Sequence, residues 1–317
     1  YLETIKDIID ISDKEVTLTK ESFDLFKEVF RADIFDTSEK YDQANDFTSY
    51  HTELDFENLY PDQKLALNEI ENFIKSEDEK IFILQGTSLS GKTHLIPFIQ
   101  DVAFNNQTKE VKLFASSSRI SNNLLKSSNL EFESIYSYIY GGNSTVVNEK
   151  ENEEENEDIL NLEIVPLYQS DDDEEAIFIV DESHLVSDNY HQSVDLRFGS
   201  GRLLHDFLEF ADLENTKRKI VFIGDSFQLS LGKKEESSLN PEYLFQEYGF
   251  KNKAFQLIDK ENKSIIVAEA LKAVNCIRQQ SFNNLSFNFS ENIRQLAKDD
   301  LKTEIENSLQ TKSDAHI

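Results

Sequence analysis

Ile81-Phe82-Ile83-Leu84-Gln85-Gly86-Thr87-Ser88-Leu89-Ser90-Gly91-Lys92-Thr93 decides the fold of this chain. An apolar run of strand length leads into a loop bounded by two glycines, and a segment with helical character follows. Strand, glycine-bounded loop and helix N-terminus, in that order, are what a phosphate-binding loop requires. Backbone N–H groups of the loop and the open first turn of the helix collect partial positive charge, which favours a bound phosphate. Gly86, Thr87, Ser88, Leu89, Ser90, Gly91, Lys92 and Thr93 are therefore the candidate nucleotide-binding residues. Lys92 adds a full charge at the terminal phosphates, and the Thr93 hydroxyl suits Mg²⁺.

Outward from this stretch, three further apolar runs recur: Val111 to Ala115, Ile177 to Val180 and Ile220 to Ile223. Helix-like segments lie between them. Near-continuous apolar strands alternating with helices predict an α/β fold with a parallel sheet flanked by helices on both faces. In such a sheet, ligands bind beyond the carboxyl ends of the strands. The chemistry-bearing residues fall there. Ile177 to Val180 runs into Asp181-Glu182-Ser183-His184, whose two carboxylates can divide the work of phosphoryl transfer. Asp181 is expected in the Mg²⁺ shell, and Glu182 is expected to orient and polarise the attacking water. Ile220 to Ile223 runs into Gly224-Asp225-Ser226-Phe227-Gln228-Leu229. The neutral amide of Gln228 can contact the terminal phosphate and register its loss, with Asp225 assisting.

The chain has 317 residues and a net charge of −29. That balance opposes a generally basic nucleic-acid surface, so a polyanion partner has to be met in a locally basic groove. Part of the acidity is local: Glu149 to Asp158 holds seven carboxylates and one lysine, and Asp171 to Glu175 holds five carboxylates. Charge runs of this kind usually form solvated loops, so an acidic insert is expected over about 143–175, with Ile159 to Tyr168 as an extended piece. One cysteine, Cys276, excludes an internal disulfide and suits a reducing compartment. The N-terminus lacks the basic and apolar regions of a signal peptide, and no apolar run reaches the length of a membrane span. A cytoplasmic location without membrane association is expected. Methionine is absent even at position 1, which suggests a segment of a longer chain.

In order, these elements resemble the first RecA-like ATPase domain of a superfamily 1 helicase, on the RecD/Pif-like and Schlafen-type branch. Tyr60-Pro61-Asp62-Gln63-Lys64-Leu65-Ala66 is similar to the glutamine motif of that family, which implies that Gln63 reads the adenine edge. Ala115-Ser116-Ser117-Ser118-Arg119 and Ser134-Ile135-Tyr136 are similar to its segments facing single-stranded nucleic acid, which implies contacts from Ser117, Arg119 and Tyr136. Asp181 to His184 and Gly224 to Leu229 are similar to its acidic box and its coupling motif. Phe198 to Leu204 and Pro241 to Leu244 resemble segments of the Schlafen-type branch. The chain departs from the family at Ser88 and Leu89, where a small residue and glycine are usual. It departs again at Tyr136, which replaces a histidine, and at Asp259-Lys260-Glu261-Asn262, where an arginine is usual.

The resemblance implies a RecA-like P-loop NTPase that binds and hydrolyses ATP with Mg²⁺ as the motor domain of a DNA or RNA helicase or translocase. Lys92, Glu182 and Gln228 are then the catalytic residues, and Thr93 and Asp181 the metal ligands. Single-stranded nucleic acid, DNA favoured over RNA, is the implied partner, together with a second RecA-like domain absent from this chain. The alternative is a degenerate nucleotide-sensing module with little turnover, possibly of a defence system. Guanine recognition is not supported, because neither Asn252-Lys253-Ala254-Phe255 nor Asn262-Lys263-Ser264-Ile265 supplies the aspartate that pairs with guanine. The expected organisation is a mostly helical segment over 1–57, the ATPase domain over 58–250, and a linker with the start of an incomplete second domain over 251–317. Within the last, a helix is expected over Ile265 to Gln280, a strand over Leu285 to Phe289 and a polar helix from about Ser290.

Overall fold

The computed structural model describes residues 9–12, 15–18, 54–128, 130–141, 147–148, 162–193, 196–259, 264–281, 286–290, 293–297, 300 and 303–304. They fall into two compact units, Tyr1–Asp259 and Lys260–Ile317. The first opens with strands β1 (Ile9–Ser12) and β2 (Glu15–Leu18), paired antiparallel with Ile11 opposite Val16. Short helices were expected here. The β-branched residues Ile9, Ile11, Val16 and Thr17 favour the extended form instead. The helical spacing of Phe23, Phe26 and Phe30 lies outside the described residues.

Helix α1 (Pro61–Lys75) begins as its sequence directs. Pro61 takes the first turn, where a missing N–H costs nothing. The Gln63 side chain reaches back to accept the Tyr60 N–H at 3.0 Å. Ala66, Leu67, Ile70 and Phe73 are buried on one face. At the far end, the buried Lys219 ammonium donates to the carbonyls of Phe73, Ser76 and Glu79 at 3.0, 2.6 and 2.7 Å. The ammonium thereby ties the last turn of α1 to the segment that follows it. Lys219→Met is expected to lower the unfolding free energy by about 1.5–3 kcal/mol, the range for hydrogen bonds to a charged group, which urea denaturation would measure.

The main sheet contains β3 (Ile81–Gln85), β4 (Val111–Ala115), β5 (Glu133–Ser134), β8 (Ile177–Val180), β10 (Lys219–Gly224) and β11 (Asn252–Gln256). Their order is β11-β3-β10-β8-β4-β5, and every pairing is parallel. Side chains alternate between the faces. Ile81, Ile83, Phe178, Val180, Ile220 and Phe222 enter one core. That core also contains residues of α4 (Ile135–Tyr140), α5 (Leu203–Ala211) and α6 (Pro241–Tyr248). Phe82, Leu84, Ile177, Ile179, Val221 and Ile223 enter the other core. That one contains residues of α1, α2 (Ile96–Asn105) and α3 (Ser118–Ser128). Burial on both faces explains the unbroken apolar runs in the sequence. The sheet extends past the boundary expected at 250: β11 pairs along β3 with Asn252 opposite Ile81. Its sequence, Asn-Lys-Ala-Phe-Gln, carries the polarity of a strand bonded on one side only.

Three shorter strands, β6 (Val147–Asn148), β7 (Glu163–Val165) and β9 (Leu196–Phe198), form a second sheet with β7 in the middle. β7 gives the extended piece expected within Ile159 to Tyr168. The second acidic run is not a solvated loop throughout. Asp172 is buried, and the Lys112 ammonium lies 2.7 Å from its carboxylate. Burial opposes its ionisation, but hydrogen bonds from Lys112, Tyr138 and Ser170 outweigh it and hold the carboxyl below its ordinary value. Residues 149–161 lie outside the described set.

In the second unit, α7 (Ile265–Arg278) occupies the expected helix. Residues 286–289 carry no strand, and Ser290 and Ile293 form an isolated bridge. Of the polar helix expected from about Ser290, residues 293–297 are described and carry no helix, and most of the remainder falls outside the described residues. No helix among the described residues is long and apolar enough to cross a membrane.

Candidate active site

β3, β10 and β8 are neighbours in the sheet, so the segments leaving their carboxyl ends lie side by side. The Gly86 N–H donates to the Gly224 carbonyl at 3.2 Å, joining the β3 exit to that of β10. From Gly86 the loop turns back over the strand end. Gly91 has φ +89°, and a Cβ there would come within 2.4 Å of the Gln63 amide nitrogen. Leu89 has φ +65°. At this departure from the family pattern the leucine takes the left-handed conformation that glycine takes without strain, with its side chain 60% exposed. This conformation costs an L-residue about 1–2 kcal/mol. Leu89→Gly is therefore expected to raise the melting temperature by relieving roughly 1 kcal/mol of that cost, as differential scanning calorimetry would show.

Lys92 is buried beneath the loop, and its ammonium donates to the Gly86 and Thr87 carbonyls at 2.7 and 2.9 Å. Burial lowers its pKa, opposed by the charges of Asp225, Glu182 and Asp181. Thr93, in the turn after Lys92, donates its hydroxyl to Asp181 Oδ2 at 2.7 Å across 88 positions of sequence. The other Asp181 oxygen accepts the Glu182 N–H at 2.8 Å. Asp181 is almost fully buried, which raises its pKa above the ordinary carboxylate value.

Glu182 has φ +50°, a strained conformation for a residue with a Cβ. Burial raises its pKa, and the Asp181 charge raises it further. Its Oε2 lies 3.3 Å from His184 Nδ1, yet both atoms are buried without an aligned hydrogen bond. Burial also lowers the His184 pKa, so the contact is not an ion pair near neutral pH. Gln228 folds over Asp225, its amide nitrogen 3.5 Å from the carboxylate. Gln228 and His184 line one open cavity of about 270 Å³ with Gln85, Lys234, Ser237 and Leu239.

These residues fit a magnesium nucleotide. Thr93 and Asp181 supply hard oxygen donors of the kind Mg²⁺ takes. Glu182 Oε2 and Ser90 Oγ are buried polar atoms without hydrogen-bond partners.

The remaining expected residues occupy other settings. Gln63 is buried, and its amide is engaged from both ends: the oxygen takes the Tyr60 N–H and the nitrogen donates to the Ser90 carbonyl at 3.2 Å. The side chain thus braces the phosphate loop against α1. Ser117 and Arg119 lie at the β4 exit and the start of α3, with Arg119 exposed. Tyr136, implied as a nucleic-acid contact, is half-buried. Its ring packs edge-on against Phe198 and beside Tyr140, and burial raises its pKa to about 12. An aromatic residue inside Ile-Tyr-Ser-Tyr-Ile-Tyr meets an aromatic core before it meets solvent.

Sequence reading missed Ser183 and Ser238. Ser183 Oγ donates to the Ile223 carbonyl, and Ser238 Oγ donates to the Ser183 carbonyl, both at 2.7 Å. Together they fasten the acidic box to the end of β10. Asp188 was missed as well: it accepts the His205 N–H at 2.8 Å and the Tyr243 hydroxyl at 2.6 Å. Neither serine nor a lone aspartate carries a spacing that would have marked it.

Comparison with known families adds one finding to this geometry. Residues 56–205 match the model of the type III restriction enzyme, res subunit. The matched span holds the phosphate loop and the acidic box but ends before Gln228. Among solved structures, the chain is similar to the Pif1 helicase from Candida albicans at 14% identity and a TM-score of 0.40, covering 80% of this chain and 55% of that one. The chain thus spans about half the length of that helicase. A second match is the structure of an E. coli MS115-1 HORMA:CdnC:Trip13 complex, at 9% identity and a TM-score of 0.26, covering 99% of this chain and 86% of that one. No curated protein sequence matches the chain.

Proposed function

We propose that residues 58 to 259 form an ATP-binding and ATP-hydrolysing motor domain of the helicase or translocase type. The carrying observation is the 2.7 Å hydrogen bond from Thr93 to Asp181, which joins the loop leaving β3 to the acidic box leaving β8, one strand apart across β10. Thr93 and Asp181 would hold Mg²⁺, which when bound supplies Lewis-acid stabilisation of phosphate charge. Lys92 neutralises the terminal phosphates, and the loop from Gly86 to Thr93 orients them. Glu182 accepts a proton from the attacking water through its carboxylate. Gln228, against Asp225, responds to the terminal phosphate.

Single-stranded nucleic acid, DNA before RNA, is the proposed track, with Ser117 and Arg119 as its contacts. A second RecA-like domain is the proposed partner of the motor. The test is ATP turnover by the full-length protein with and without single-stranded DNA and RNA, at stated low and moderate salt. Salt matters because phosphate contacts release counterions. Stimulation by single strands, abolished by Lys92→Ala, is the expected result. Turnover indifferent to Lys92→Ala would overturn the reading.

A further inference from the structure

Three consecutive residues after β11 tie the segment to the end of β3, to α1 and to the phosphate loop in turn. The Leu257 N–H donates to the Gln85 carbonyl at 2.8 Å. The Ile258 N–H donates to Asp62 Oδ2 at 2.9 Å. Asp259 Oδ1 accepts the Thr87 hydroxyl at 2.7 Å. Leu257 is fully buried, and its Cβ would stand 3.2 Å from a side chain placed at Gly86. Thr87 is buried too, and its carbonyl is one of the two that hold the Lys92 ammonium. Asp259, Thr87 and Lys92 therefore form one hydrogen-bonded chain through the loop. A carboxylate fixed at a loop built to surround phosphates opposes the charge it would receive.

We propose that Asp259 is a positioning residue that acts through Thr87 and competes by charge with the incoming triphosphate for the phosphate loop. This rests on the nucleotide-binding reading above and adds a control on its affinity. Without nucleotide, the carboxylate anchors the opening turn. Phosphate oxygens entering the loop meet its charge and bind more weakly than they would beside a neutral residue.

The test is equilibrium binding of Mg–ATP to the full-length protein by isothermal titration calorimetry, at low and at high salt. Asp259→Asn keeps an oxygen that can accept the Thr87 hydroxyl and removes only the charge. Its Kd is expected to fall about fivefold to tenfold at low salt, and the gain should shrink at high salt as screening replaces it. Asp259→Ala should tighten binding in the same direction. If Asp259→Asn binds as the unaltered protein does while Asp259→Ala binds more weakly, Asp259 is only a tether and the proposal falls. Lys92→Ala separates the two levels of failure. If it abolishes binding while Asp259→Asn changes nothing, only the role of Asp259 is lost. If it binds Mg–ATP as tightly as the unaltered protein, the nucleotide reading itself is lost.

Discussion

Glu182→Gln is expected to lower ATP turnover by about 10²–10⁴-fold, the range for losing a general base, while nucleotide binding persists. Glutamine keeps the length and shape of the side chain but cannot take a proton from water. The site presents Glu182 in the form this task needs. Burial and the neighbouring Asp181 raise its pKa toward the working pH, and its Oε2 is not tied to a hydrogen-bond donor. Single-turnover hydrolysis beside equilibrium ATP binding separates the two effects. Undiminished hydrolysis in this variant would remove Glu182 from the chemistry.

Asp181→Asn carries the second large effect, with opposite signs on function and stability. Loss of the carboxylate would remove the proposed Mg²⁺ ligand, so Mg²⁺-dependent nucleotide binding should fall by on the order of 10²-fold, comparable to losing a few kcal/mol of charge stabilisation. Stability should rise. The pKa of Asp181 is raised in the folded chain by burial. Between the ordinary carboxylate value and this raised value, the folded state binds the proton that the unfolded state has released. Unfolding free energy therefore falls as pH rises through that window, and the full penalty is present above it. Asparagine removes this dependence. Its oxygen can accept the Glu182 N–H, and its amide can donate to the Thr93 hydroxyl, so the local bonds survive. At neutral pH the melting temperature should increase by roughly 2–4 °C for each kcal/mol relieved, and the difference from the unaltered protein should vanish in acid. A lower melting temperature for the variant at neutral pH would contradict the burial cost assigned to Asp181.

The sequence showed the centre of this fold more clearly than its margins. β3, β8 and β10 are buried on both faces, so their apolar runs leave little choice of structure. The phosphate loop and acidic pair were legible because their chemistry fixes residue type and spacing together. β11 was not, since an edge strand can be as polar as a loop. The hairpin of β1 and β2 is too short to display a period. The setting of Tyr136 depends on Phe198, sixty-two positions away in sequence, and that of Asp172 on Lys112. Gln63 was marked for the adenine edge by its resemblance to a glutamine motif. That its amide braces the loop follows only from the position of Ser90 above it.

The order of the sheet also governs how the chain must assemble. β3 carries the phosphate loop, yet its two neighbours, β10 and β11, are the last strands of the sheet in sequence. During synthesis the loop-bearing strand therefore waits with both edges open until β10 has emerged, and with one edge open until the chain has passed Gln256. Pairings this distant in sequence close slowly, and exposed apolar strand edges favour association between chains in the meantime. β3 is thus both the support of the proposed chemistry and the point at which unfinished chains are most prone to aggregate.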